Sequence, residues 1–234
     1  MAAEETTPVL EFRSVTIVST SQLGASICEV DFTLAPGELA LVRLEYGNEH
    51  TPLADAAEGL VAPDGGEVRL QGRNWRRMSA DRQTRLRGRI GRVFQQHGWI
   101  SNLDIVENIT LSQRHHTTRP FKAILEEARQ LAAGFGLQDL PEVRPSRLHQ
   151  RDLRRAEWVR AFAGEPLLII LEQPLLGVPV ESAPLLVDAA NAARARGAAV
   201  LWTTASTPAW NDTRLSDARR YVMRGERMHE EERE

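Results

Sequence analysis

Three short, almost wholly apolar runs constrain this chain more than any other feature. Leu39–Leu44, Leu167–Leu171 and Ala198–Thr203 are each five or six residues long. That is too short for a buried helix, and side chains of both parities are apolar, so these runs read as strands covered on both faces. Helical stretches are expected at Leu53–Leu60, Asn102–Ser112, Phe121–Phe135, Gln150–Ala163 and Glu181–Arg196, the last stopped by Gly197. Buried strands alternating with helices mean an α/β fold with a mostly parallel sheet.

The remaining strands have a different texture. Val9–Val18 and Ile27–Leu34 alternate apolar and polar residues, the mark of half-buried N-terminal antiparallel strands. Turns at Pro36-Gly37-Glu38 and Pro63–Gly66 lead into strands at Leu39 and Glu67–Leu70, and Ile90–Gln95 and Arg219–Met223 complete the set. The helical block near His97–Ala163 interrupts the alternation. It predicts a core of residues 1–96 and 164–234 with an inserted α-helical subdomain of residues 97–163. The charged end, Glu226–Glu234, is expected to fray.

Bulk properties exclude more than they assign. Apolar residues make up 42% of the 234 and charged ones 26%, an ordinary globular balance. A net charge of −3 favours no nucleic acid partner, and the single Cys28 excludes a disulfide framework. The start, MAAEETTP, lacks the apolar stretch of a secretory leader. No apolar run approaches the roughly 18 residues of a membrane span. A cytoplasmic protein that reaches the membrane only through a partner is expected. Between Arg73 and Arg92 stand eight arginines against one acid, Asp81; this reads as a solvated helix face, with an anionic-lipid or nucleic-acid patch as the alternative. His115-His116 reads as a surface pair, and the five tryptophans are dispersed as packing residues.

Several stretches, in order and at fitting distances, resemble the nucleotide-binding subunit of an ATP-binding cassette (ABC) transporter. Pro36-Gly37-Glu38 resembles the turn before the phosphate-loop strand. GLVAPDGGEVRLQGRNW (Gly59–Trp75) resembles the segment after the phosphate-loop helix. IGRVFQQ (Ile90–Gln96) and ISNLDIVENITL (Ile100–Leu111) resemble the Q-loop and the start of the helical subdomain, and LLIILEQP (Leu167–Pro174) the Walker B strand. The resemblance spans nearly the whole chain and is nearest to small bacterial subunits of lipid- and lipoprotein-handling transporters. It implies a P-loop NTPase-like ABC ATPase core.

The family's active positions are another matter. A phosphate loop reads G-x-x-x-x-G-K-[ST], so that packed backbone N–H groups wrap the phosphates. The matching window is Leu44-Glu45-Tyr46-Gly47-Asn48-Glu49-His50-Thr51. Leu44 and Glu49 replace the motif's glycines, His50 replaces its lysine, and Gly47 lies between them. Thr51, the magnesium-ligand position, keeps its hydroxyl. A carboxylate at Glu49 about 5 Å from a polyphosphate costs roughly 3 kcal/mol per unit charge at an effective dielectric near 20. The signature loop aligns with Leu148-His149-Gln150-Arg151-Asp152, without its serine and glycines. Walker B ends in Glu172 and Gln173 in place of Asp and Glu, and an amide cannot take a proton from water. Ala205 stands at the switch histidine and Pro179 at the D-loop aspartate. No aromatic lies within several residues of Ser19, where adenine would stack. Gln95 survives at the Q-loop.

These losses predict a chain with no cofactor, neither ATP nor magnesium, and no metal site. Thr51-Pro52 reads as a helix cap, and Glu49 either stabilises the loop in place of a phosphate or has simply drifted. The resulting expectation is a structural or regulatory subunit on a membrane permease, possibly paired with a competent ABC ATPase subunit, with Trp99 and Ile100 as permease contacts. The alternatives are a working ATPase that energises transport and an anion-binding module reusing the cleft.

Overall fold

The computed structural model describes residues 7–19 and 24–231. Two sheets organise it. The first is antiparallel, in the order β2-β1-β4-β5, with β1 at Leu10–Ile17, β2 at Ile27–Leu34, β4 at Gly65–Leu70 and β5 at Arg73–Asn74. The second runs β10-β9-β3-β8-β7-β6, with β3 at Leu39–Leu44, β6 at Ile90–Val93, β7 at Leu168–Glu172, β8 at Ala199–Thr204, β9 at Arg219–Arg224 and β10 at Arg227–Glu230. All of its pairings are parallel except β9 with β10.

The apolar runs are explained by a core on each face of this second sheet. Leu39, Leu41, Ile169, Leu171, Val200 and Trp202 face the helices, while Ala40, Val42, Leu168, Ile170, Ala199 and Leu201 face the antiparallel sheet. A strand with no polar side has no solvent side, and β8 is buried at every position. The helices are α1 (Leu53–Ala57), α2 (Ala80–Arg87), α3 (Ile105–His116), α4 (Phe121–Gly134), α5 (Gln150–Phe162), α6 (Ala183–Ala195) and the short α7 (Thr207–Trp210). Residues of α3 to α6 share the core beneath the parallel sheet.

Local chemistry moves several boundaries. The strand expected to Gln95 ends at Val93. Helix α3 starts three residues later than the apolar pattern suggested, because Asp104 accepts the Glu107 N–H while the Glu107 side chain accepts the Asp104 N–H. Asn108 ties down the preceding loop, bonding the Ile100 N–H and the carbonyls of Ile100, Leu103 and Asp104. Helix α1 ends at Ala57 instead of Leu60, where the chain turns through Gly59 at φ +66°. The charged end does not fray as far as Glu231: β10 pairs with β9, and the Glu226 carbonyl accepts the Cys28 N–H at 2.7 Å, linking the two sheets. Residues 232–234 of that end lie outside the described residues.

Candidate functional site

A cleft of about 460 Å³ lies between the end of β1, the start of α1, the end of β7 and the loop after β6. His50, Thr51, Gln95 and Glu172 share its wall, joined by Asp55 and Arg92. The fold thus gathers four of the sequence-predicted positions. Leu44, Gly47, Glu49, Gln173, Pro179, Ala205 and the signature-like residues 148–152 do not line it. The position near Ser19 expected to lack a stacking aromatic borders residues 20–23, which are outside the described residues.

The segment between β3 and α1 closes on itself. Leu44 is still part of β3, buried against the core. Beyond it the Asn48 N–H donates to the Glu45 carbonyl at 3.0 Å and the Thr51 N–H to the Asn48 carbonyl at 3.2 Å. The Asn48 side-chain amide reaches the Met223 carbonyl. Gly47 sits at φ +91°, and its N–H donates to Glu49 Oε2 at 3.0 Å. Of the two readings of Glu49, the geometry favours an internal partner over drift. Thr51 is not the cap it resembled. Pro52 takes the position before α1, and the Thr51 hydroxyl is buried with no hydrogen-bond partner.

Arg92 is the functional-site residue that motif reading missed. It stands in β6 with its side chain 6% exposed, and its guanidinium meets Glu172 at 2.6 Å, Glu58 at 2.6 Å and Asp55 at 2.8 Å. The Phe94 ring lies 4.4 Å beneath it. Burial opposes its charge, and the Glu172 and Glu58 carboxylates more than offset that, raising its pKa. Burial pushes the Glu172 carboxyl up against the pull of Arg92. The available signal was an arginine inside the otherwise apolar run Ile90–Phe94, a position no solvent-facing residue would occupy.

A second buried charge centre holds the loop after β6. Arg154 on α5 donates to the Phe94 carbonyl at 2.6 Å, the Gln95 carbonyl at 3.1 Å and the Leu176 carbonyl at 3.3 Å. It also pairs at 2.8 Å with Glu157, whose side chain is 0% exposed. His97 Nδ1 meets the other oxygen of Glu157 at 3.1 Å. Burial pushes the Glu157 carboxyl up despite these partners.

The other predicted positions scatter. Gln173 follows β7 with φ +41°, a left-handed backbone rare for a residue with a side chain, and its N–H donates to the Thr203 carbonyl. Pro179 precedes a 3₁₀ turn, and Ala205 is exposed just past β8. Leu148 packs on the core, while His149, Gln150 and Arg151 are exposed at the start of α5. Arg151 bonds its neighbour Asp152 at 3.0 Å. Trp99 and Ile100 part company. Ile100 is 43% exposed, whereas Trp99 packs on the core with the Arg160 guanidinium 4.4 Å from its ring.

Comparison with known proteins fits this architecture. The sequence profile of the ABC transporter family matches residues 27–176. The chain belongs to the ABC transporter family. Among its relatives, the lipoprotein-releasing system ATP-binding protein LolD of Maricaulis maris is 31% identical over 174 residues, 74% of this chain and 76% of LolD. The intermembrane phospholipid transport system ATP-binding protein MlaF of Escherichia coli is 28% identical over 148 residues, 63% of this ABC chain. That match spans only 55% of MlaF. A solved dimeric ATP-binding cassette in a post-hydrolysis state, bound to ADP and Pi, superposes with a TM-score of 0.81 at 19% identity, covering 95% of this chain and 97% of its own.

One expectation does not survive. A chain without any cofactor was expected, yet both relatives are ATP-binding proteins by name and the solved cassette holds ADP and Pi. Against the losses at Leu44, Glu49 and His50 stand the retained Thr51 and Gln95, which the fold brings to one wall. The partnerless buried hydroxyl of Thr51 fits a polar ligand in this ABC cleft. Glu172, the acidic donor a divalent ion would use beside it, has one oxygen committed to Arg92.

Proposed function

We propose that this ABC subunit works on a membrane permease of the lipid- or lipoprotein-handling kind, holding a nucleotide without turning it over and so acting as a structural or regulatory partner. Residues 1–96 and 164–234 form its cassette core in this reading, and residues 97–163 the helical subdomain that meets the permease. Thr51, His50 and Gln95 would contact the nucleotide. The holding of a nucleotide rests on the partnerless Thr51 hydroxyl, and the observation that carries the lack of turnover is the self-closed loop. The N–H groups of Gly47, Asn48 and Thr51 all donate within the chain, so an anion must compete with existing partners. Gln173 adds to this, since its amide cannot serve as general base. A competent ABC ATPase subunit as partner would supply the turnover this chain lacks.

The test is a phosphate-release assay on the chain purified together with its permease from native membranes, at millimolar ATP. Turnover no higher than that of the permease fraction without the chain is expected. Release at a rate that scales with the amount of this chain alone would end the reading, as would failure to recover any permease.

A further inference from the structure

A second concavity, of about 390 Å³, shares no residue with the cleft. The β4–β5 hairpin, the 3₁₀ turn Trp75–Arg77 and the start of α2 form it, and four arginines line it: Arg69, Arg73, Arg77 and Arg82. Arg69 is committed to Glu67. Among the described residues, the side chains of Arg73, Arg77 and Arg82 make no hydrogen bond or ion pair, and these three line one concavity together. Ser79, on the same wall, precedes α2 without capping it.

Three exposed guanidinium groups with no carboxylate partner leave this hollow positively charged. An anion placed between them neutralises that charge. The planar fork of arginine matches phosphate oxygens in pairs, so a phosphate group suits the lining better than a lone carboxylate. The wall holds Met78 but no aromatic ring, so it offers no platform for a nucleobase.

We propose that this concavity binds a phosphate group, supplied by the headgroup of an anionic lipid. The choice of a lipid source rests on the permease-docking reading above; the phosphate chemistry does not. The full chain would be titrated with phosphatidylcholine vesicles with and without phosphatidylglycerol, and separately with inorganic phosphate while its melting is followed. Two equal-charge variants are compared, Arg77→Gln/Arg82→Gln at the hollow and Arg144→Gln/Arg147→Gln on a distant exposed turn. Each arginine near an anionic surface contributes about five-fold, so the first variant should lose roughly 30-fold in affinity for the anionic vesicles. The second should stay within about three-fold of the parent. If phosphate raises the melting temperature through Arg77 and Arg82 while vesicles do not bind, the site stands with a free phosphate as its source. Equal losses in the two variants, no response to either probe, or a preference for an RNA oligomer over both would overturn the proposal. Recovery of the permease with the chain should be the same for both variants, which keeps this result separate from the functional reading.

Discussion

Replacing Arg154 by methionine tests how the loop after β6 is held. The change removes a guanidinium 2% exposed and leaves Glu157, 0% exposed, facing only His97 and, at 4.0 Å, Arg160. An uncompensated buried charge costs about 3–5 kcal/mol. For a domain of this size each kcal/mol lowers the melting temperature by about 2–4 °C, so a drop of roughly 6–20 °C is expected. The double variant Arg154→Met/Glu157→Leu removes both charges. It should regain more than half of that loss, the remainder being the hydrogen bonds to the Phe94, Gln95 and Leu176 carbonyls. The pH dependence has a definite sign. Burial already raises the Glu157 carboxyl, and removing Arg154 raises it further. The folded single variant then binds a proton more tightly than its unfolded chain, so its deficit is present above the raised pKa and fades as pH falls through it. Scanning calorimetry from pH 8 to pH 5 should show the gap to the parent narrowing. A single-variant drop below about 3 °C, a double variant no better than the single, or a gap that widens at low pH would refute the reasoning.

Glu49→Gly removes the carboxylate that accepts the Gly47 N–H, and should strengthen binding of a fluorescent ATP analogue by roughly 100-fold, from the ~3 kcal/mol of repulsion relieved; unchanged anisotropy titrations would count against it. Gln173→Glu alone should leave phosphate release at background, because the self-closed loop and His50 remain; measurable turnover in that variant would show the loop to be competent. Ile100→Asp should release the chain from permease-containing membranes without lowering its melting temperature by more than about 2 °C, since Ile100 is 43% exposed; full retention in a flotation assay would exclude this contact.

The central strands and most helices were legible because the apolar runs permit no solvent side, and β3, β7 and β8 lie within a residue of where those runs predicted them. Helix starts were less legible: at Asp104 a reciprocal cap, not the apolar pattern, decides the boundary. The site was half visible. Motif spacing brought out Thr51, Gln95 and Glu172, yet it did not single out Arg92, although it lies within IGRVFQQ, nor Asp55 or Glu58, whose meaning arises only when β6, α1 and β7 converge. Trp99, expected with Ile100 as a permease contact, is partly buried against the core, and a tryptophan next to an exposed isoleucine gives no sequence sign of which way it packs. The cofactor was misjudged for a related reason: the lost positions outnumber Thr51 and Gln95 in the motifs, and only the fold shows that these two retained groups share one wall.

The three carboxylates around Arg92 also bear on how this chain can change over generations. A neutral residue in place of Arg92 leaves Glu58 and Glu172, which are 12% and 14% exposed, without the cation that lies between them. Losing either acid alone weakens the hold on a buried guanidinium. Each neighbour therefore protects the others from drift, and any route to an ordinary apolar β6 passes through intermediates with an unpaired buried charge. The cluster works as a ratchet: with the arginine and its acids in place, the wall of the cleft is easier to keep than to rebuild.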